Sequence, residues 1–342
     1  MLDGLKVNGK SEDDIRRESE FLFRCYSDPE SIMMVIRHLQ YLTALARERH
    51  FARAATVCNV TQPTLSAGIK QLEESLGVLI VERGQRFLGL TAEGERVLAW
   101  AQRVLVDYGG LQQELSEMRE GLVGQLRIGA IPVTLPIVPL LTGPFAKRHE
   151  RTDIQVISLN SISIQRGLDE FNLDVGVTYR DNEPLARVRC LPLYQERYVL
   201  LTQSDGPFRG RSVVTWSEAA TLPLCLLTPD MQNRRILDMH FREGGAEIHA
   251  AVETNSLLTL WSHLRLRHWS SVVPYTFLLL PNDGLVGIPL TEPDASHLIG
   301  LVASDRDPLP PVAHALLNVA GRLDIASTID RQVGQLSPAA RW

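Results

Sequence analysis

The chain has 342 residues, 44% of them hydrophobic, and carries 35 Lys and Arg against 40 Asp and Glu for a formal charge of −5. That length points to at least two domains, and that apolar share can fill their cores. No apolar run approaches a membrane span and no basic-then-apolar leader opens the sequence, so a cytoplasmic protein without a membrane partner is expected.

Residues 1–32 are dense in charge, with Lys10, Glu12, Asp13, Asp14, Arg16, Arg17 and Glu18 close together. Disorder is expected there, and a packed helix around Ile15–Tyr26 is the competing reading. Beyond them Ile36, Leu39, Thr43 and Ala46 mark one face of a first helix.

Residues 51–76 read as two short helices about a tight turn. Asn59-Val60-Thr61 interrupts an Ala-rich run, Thr61 can cap the next helix, and Pro63 sits in its first turn, where no N–H is needed. Leu65, Ile69, Leu72 and Leu76 recur at helical spacing and should face a core. Pro63, Ser66, Ala67 and Lys70 then lie on the opposite side, and Gln62 can offer a donor and an acceptor to a base edge. The unpaired N–H groups and positive dipole end of a helix start also suit phosphate. A helix-turn-helix that reads DNA is one interpretation, and an ordinary buried helical pair is the other. Residues 79–90 form a β-rich stretch folded at Gly84-Gln85, which has the form of a wing with Arg83 and Arg86 near its tip. Between Ile36 and Thr91 seven bases (Arg37, Arg47, Arg49, Arg53, Lys70, Arg83, Arg86) face four acids (Glu48, Glu73, Glu74, Glu82). A basic module in an acidic chain localises phosphate affinity to that module.

Thr91 opens a long helix in which Val97, Val104, Leu111 and Met118 recur every seven residues, with Ala101, Tyr108 and Leu115 at the complementary positions. This is a short coiled-coil seam, favoured over a core helix because the other faces are polar. A dimer would place two recognition helices on an inverted-repeat site. Gly121-Leu122-Val123-Gly124 then reads as a hinge. Past it strands and helices alternate: strands at 125–130, 154–158 and 173–177 around a helix at 163–170, a second lobe with a strand at 198–202, a helix at 232–243 and a strand at 271–273, and a return through 298–303 to a last helix near 311–323. The expected class is α/β with an all-α-rich N-terminal domain: a winged helix-turn-helix at 33–92, a linker helix and hinge at 93–122, and a two-lobed α/β domain at 123–325. Its lobes would cover about 123–197 with 299–325, and 198–298, followed by a tail at 326–342. Ligands of such sheets bind in the crevice between lobes.

Cys25, Cys58, Cys190 and Cys225 have no C-x-x-C spacing and read as free thiols. His263 and His268 do not make a metal site, and no metal is expected. No nucleophile elbow, zinc-protease motif or phosphate loop is present, so an enzyme is not expected and no cofactor is implied. A transport-type solute-binding protein is the alternative from another class, and the basic N-terminal module opposes it.

Ile36-Arg37-His38-Leu39, Phe51-Ala52-Arg53-Ala54-Ala55, Thr61-Gln62-Pro63-Thr64-Leu65-Ser66, Gln71-Leu72-Glu73, Leu76-Gly77, Glu82-Arg83 and Leu90-Thr91-Ala92-Glu93-Gly94 resemble, in order and spacing, a LysR-type transcriptional regulator over about residues 33–325. Family members commonly begin near Met33 and Met34. The resemblance implies that Gln62, Pro63, Ser66, Lys70 and Arg83 approach DNA, and with Thr64 and Arg86 they make the expected interface. Ala67, Gly68, Phe87 and Gly89 depart from the family pattern, where basic or polar residues are common. It further implies promoter DNA and self-association as a dimer of dimers, with RNA polymerase as a further candidate partner. The effector domain would resemble periplasmic solute-binding folds. Redox sensing is an alternative, but peroxide sensors of the family place a reactive cysteine near the positions of Met231 and Gln232.

Family effectors are mostly small anions, held in segments after the first strands of each lobe. Here those segments offer Thr134, Ser161, Ser163, Thr228, Asn255 and Ser256, with Arg234 as a nearby cation and Trp269 expected to narrow the crevice. Hydroxyls and helix-start N–H groups can hold a carboxylate. For Ser161, Ser163 and Asn255 a simple capping role is the alternative. Residues 224–235 with 269–274 also resemble a branch linked to formate dehydrogenase operons, which makes formate the specific effector expected.

Overall fold

A computed structural model describes residues 29–82, 87–281 and 284–336. The expectations for residues 1–28, for Cys25 and for the wing-tip residues Arg83 and Arg86 lie outside them. The chain divides into two compact units at Gly109/Gly110.

The first unit begins with α1 (Pro29–Glu48), α2 (Phe51–Val57) and α3 (Gln62–Leu76). In α1 the buried face is Ile36, Leu39, Leu42 and Leu45, joined by Tyr41 and Ala44, so the core face is broader than the expected Ile36, Leu39, Thr43 and Ala46. Ala54 and Ala55 of α2 let the helices approach closely. In α3, Leu65, Ile69 and Leu72 are buried, whereas Leu76 stands 49% exposed and does not continue the stripe. Gly68 is buried too. A methyl on it would stand 2.7 Å from the Tyr41 ring and 2.9 Å from His38, so this departure from the family pattern is a packing adjustment to two large α1 side chains rather than a lost DNA contact. The Glu73 carboxylate accepts hydrogen bonds from the N–H groups of Ile80 and Val81 at 2.8 and 3.1 Å and pins the wing base to α3. Val81 and Leu90 form an antiparallel bridge there.

The linker helix α4 (Ala92–Glu120) starts where the Thr91 hydroxyl accepts from the Gly94 N–H at 2.9 Å. Any side chain at Gly94 would collide with the Ile80 carbonyl, which fixes glycine at that position. Val97, Leu98 and Leu105 pack with the buried Ala101 on the core of their own unit. The expected seam therefore loses Val97 and Ala101 to that core but keeps Val104, Leu111 and Leu115. The exposed apolar stripe is Trp100, Val104, Leu111 and Leu115, at 65, 41, 54 and 52% exposure. Met118 falls outside the described side chains.

The second unit holds two lobes: a sheet of order β2-β1-β3-β10-β4-β9-β5, with β8 also on β4, runs through both, and β6 and β7 pair in a separate two-stranded parallel sheet. Lobe I contains β1 (Gly124–Ala130), α5 (Val138–Arg148), β2 (Thr152–Ser158), α6 (Ser161–Asp169) and β3 (Val175–Tyr179). Its three strands are parallel, as strand-helix-strand crossovers require. The 16-residue β4 (Val188–Gln203) then runs from lobe I into lobe II. There follow β5 (Val214–Thr215), α7 (Trp216–Ala219), β6 (Leu224–Leu227), α8 (Gln232–Glu243), β7 (Ala250–Thr254), α9 (Leu257–Arg265), β8 (Ser271–Pro274) and β9 (Leu285–Thr291). The chain returns along β10 (Ser296–Ser304), antiparallel to both β3 and β4, to α10 (Pro311–Ala320). Residues 325–336, mostly placed in a tail by the sequence, form α11 (Ile325–Leu336) with Ile325, Ile329 and Val333 buried. Asp330 of that helix meets Arg197 at 3.0 Å. No helix among the described residues is long and apolar enough to cross a membrane.

Candidate DNA-reading face and interlobe site

The start of α3 presents a polar surface. Gln62, Pro63, Thr64 and Lys70 are exposed and Ser66 is half-buried, all on the side away from Leu65, Ile69 and Leu72. Thr61 caps the helix by accepting from the Thr64 N–H at 3.4 Å, while Thr61 and Thr64 share a hydroxyl contact at 2.8 Å. Lys70 lies 3.5 Å from Glu74, both well exposed. Such a pair is worth under about 1 kcal/mol, so the ammonium is free to turn to a phosphate.

In the second unit the expected effector residues follow the ends of the parallel strands β1, β2, β6 and β7. Thr134 follows β1, but its hydroxyl is buried and donates to the Ile131 carbonyl at 2.9 Å, so it fixes that turn. Ser161 is the first residue of α6 and is buried. The cap is Asn160, which accepts from the Ser163 N–H at 2.9 Å. Across the lobes, Thr228 follows β6 with its hydroxyl oxygen buried and without a hydrogen-bond partner. Ser256 caps α9 through the Thr259 N–H at 3.3 Å, and Asn255 beside it is exposed.

Two expectations are corrected. Arg234 is not a free cation: its guanidinium is spent on Glu253 at 2.6 Å, Asp238 at 2.8 Å and the Leu227 carbonyl at 3.0 Å, all within lobe II. Trp269 does not border the crevice. It precedes β8, whose Ser271 pairs with Leu201 and whose Pro274 pairs with Tyr198, so it sits at the outer end of β4 with His263 and His268 against its ring. From there to the level of Tyr198 is about 17 Å, five residues of strand.

The lobes meet through groups that the sequence reading missed. On β4 the alternation of a strand puts Tyr194, Glu196 and Tyr198 on one face, and all three are buried. Tyr179 and Tyr194 donate hydrogen bonds to Glu196, and the Tyr179 and Tyr198 oxygens lie 3.3 Å apart. Burial outweighs those donors and pushes the Glu196 carboxyl up to about 8, so it is predominantly protonated at neutral pH. From lobe II, Asn233 donates to the Tyr179 oxygen at 3.0 Å, Gln232 donates to the Asn182 carbonyl, and Arg235 pairs with Glu183 at 2.7 Å. The Gln232 side-chain oxygen is buried with no partner. The start of α8 has no side-chain cap. The alternation of β4, which sets Glu196 on the same face as Tyr194 and Tyr198, was the signal available for it.

The described cysteines show no activated thiol. Burial raises the thiols of Cys58 and Cys190, and that of Cys225 to about 11.

Residues 36–95 match the model of the bacterial regulatory helix-turn-helix protein, lysR family, and residues 119–323 that of the LysR substrate binding domain. The chain is 33% identical over 290 residues to the DNA-binding transcriptional dual regulator OxyR of Escherichia coli, covering 81% of this chain and 91% of that protein. A full-length OxyR variant from Pseudomonas aeruginosa superposes with a TM-score of 0.69 at 26% identity, over 85% of this chain and 96% of the other. The regulator CbnR, at 19% identity and a TM-score of 0.59 over 84% and 98%, shares the fold. With a helix-turn-helix unit and a two-lobed effector domain in one chain, the protein belongs to the LysR family of DNA-binding transcriptional regulators.

Proposed function

We propose that the protein binds promoter DNA with an inverted-repeat site as a dimer or dimer of dimers in the cytoplasm, and that a small effector in the crevice between its lobes changes that binding. The exposed polar start of α3, held in a capped helix against a three-helix core, is the observation that carries the DNA part. Gln62, Pro63, Thr64, Ser66 and Lys70 supply the contacts, with Arg83 and Arg86 of the wing joining them. Affinity is expected to fall steeply with salt, because phosphate contacts release counterions. In binding isotherms Lys70→Ala should weaken all sequences alike and lower the salt slope by about 1, whereas Gln62→Ala should cost about 1–3 kcal/mol at the cognate site only. Equal losses on specific and random DNA for Gln62→Ala would remove its base-reading role.

The effector part rests on the crevice chemistry. With Arg234 neutralised, an anion would be held by helix-start N–H groups of α6 and α8 and by the hydroxyls of Ser161 and Thr228. A small carboxylate fits that inventory, and formate is the most compact of them. Calorimetry with small carboxylates should show binding that Ser161→Ala weakens about tenfold, the worth of a hydrogen bond to a charged group. No heat with any of them would sink the carboxylate class. A second reading, response to hydrogen peroxide, is favoured by relatives named hydrogen peroxide-inducible genes activators. Against it stand the raised thiols and Met231 and Gln232 at the positions of interest. Peroxide treatment that oxidises a cysteine and alters DNA binding would revive it.

A further inference from the structure

Asp181, His297, His240 and Glu243 form a row of polar contacts that runs from lobe I into lobe II. Asp181 Oδ1 lies 3.3 Å from His297 Nδ1, His297 Nε2 lies 2.8 Å from His240 Nε2, and His240 Nδ1 lies 2.9 Å from Glu243 Oε2. Asp181 follows β3 and also accepts from the Leu298 N–H at 2.9 Å, His297 is on the returning strand β10, and His240 and Glu243 are on α8. Both imidazoles are buried, at 8 and 6% exposure.

The central contact joins nitrogen to nitrogen. One must donate and the other accept, so at least one Nε2 carries no proton. With both rings neutral, His240 Nδ1 keeps its N–H for Glu243 and its Nε2 accepts from the Nε2–H of His297; a first added proton goes to His297 Nδ1 beside Asp181, and the two Nε2 atoms still share a single proton. A further proton would set N–H against N–H and cation against cation at 2.8 Å. We propose that this row is a proton-gated clasp, which holds lobe II to lobe I while the imidazoles share one Nε2 proton and releases it when both rings are fully protonated.

The surroundings offer little to offset a second charge. His240 faces the Trp216 and Tyr198 rings, and His297 faces those of Tyr179 and Tyr198. Those are uncharged, and the Glu196 carboxyl behind the phenols is neutral. The acids at the two ends, Asp181 and Glu243, are about half exposed, so water screens them. Burial holds His240 below the usual histidine range. The other contacts between the lobes, Asn233 with Tyr179, Gln232 with Asn182 and Arg235 with Glu183, keep their charge states near pH 6.

The clasp rests on the reading that the lobes part to admit an effector, but its test uses none, so a failed effector titration leaves it standing. Amide hydrogen exchange on the full ligand-free chain, corrected for the intrinsic pH dependence, is followed at residues 179–183 and 232–243 from pH 7.5 to 5.0. Opening of these segments should rise by up to about tenfold per pH unit once the second proton binds, and His297→Gln should remove that dependence. Imidazole nitrogen resonances of the unmodified protein give a second readout that needs no variant. They should show an Nε2–H···Nε2 coupling between the two rings at pH 7.5 that is lost by pH 5.0. Exchange independent of pH, an equal rise in His297→Gln, or no coupling between the rings at any pH would each overturn the clasp.

Discussion

Replacing both Val104 and Leu111 with glutamate is expected to turn the protein into folded monomers that have lost most of their operator affinity. The two residues stand one heptad apart on the exposed stripe, with Leu115 four residues further as the a/d spacing of a two-stranded helical seam requires, and Trp100 flanks them. The other apolar positions of the helix near its start, Val97, Ala101 and Leu105, are already consumed by the core of their own unit. That leaves this stripe for a second copy. Glutamate is a good helix former, so α4 should persist while four carboxylates gather at the seam of a dimer. Each DNA-reading unit would then bind alone, and loss of the linked second contact should weaken operator binding on the order of 100- to 10,000-fold. Light scattering should report monomers while circular dichroism stays unchanged. A dimer of unaltered mass would place the interface elsewhere. Trp100→Ala should act in the same direction with a smaller effect, since Arg103 already covers its ring from the same helix at 5.3 Å.

What the sequence disclosed follows from how local the determinant is. The helix-turn-helix was legible because its signals, the Thr61 cap, Pro63 and the spacing of Leu65, Ile69 and Leu72, act within one or two turns. The helix at 232–243 was legible to the residue for the same reason. The linker stripe was visible as a repeat, but a repeat does not say which of its residues the adjoining unit buries. Gly68 looked like a bare departure from the family pattern until Tyr41 and His38, far back in the chain, were seen against it. Arg234 looked like a ligand because its neutralising partner Glu253 arrives 19 residues later, on the strand β7. Trp269 was displaced from the crevice by strand direction alone, which sequence does not reveal. The Glu196 cluster and the His240–His297 contact draw on β3, β4, α8 and β10 at once. Long-range pairing of that kind leaves no periodic trace in any one segment.

Glu196→Gln is expected to stabilise the effector domain above neutral pH and to flatten its pH dependence. In the folded protein burial raises this carboxyl from the ordinary 4.5 to about 8. The folded state therefore binds the proton more tightly than the unfolded chain does. Its contribution is fully present below about pH 4.5, declines as pH rises, and is lost once pH passes about 8. His240 works in the opposite sense: its value is lowered from the ordinary 6.5, so it costs stability as pH falls below that point. Between pH 6.5 and 8 Glu196 is thus the dominant slope of the two, and linkage over that span amounts to about 2 kcal/mol. Gln has the same shape, can accept from one of the two phenols through its amide oxygen while its NH2 donates to the other, and never ionises. Thermal unfolding of the wild type should fall by about 4–8 °C from pH 6.5 to 8, at roughly 2–4 °C per kcal/mol for a domain of this size. The variant should hold nearly level and exceed the wild type at pH 8. Parallel curves for the two proteins would mean that the carboxyl is already ionised among its tyrosines, and that the phenol donors rather than burial set its charge.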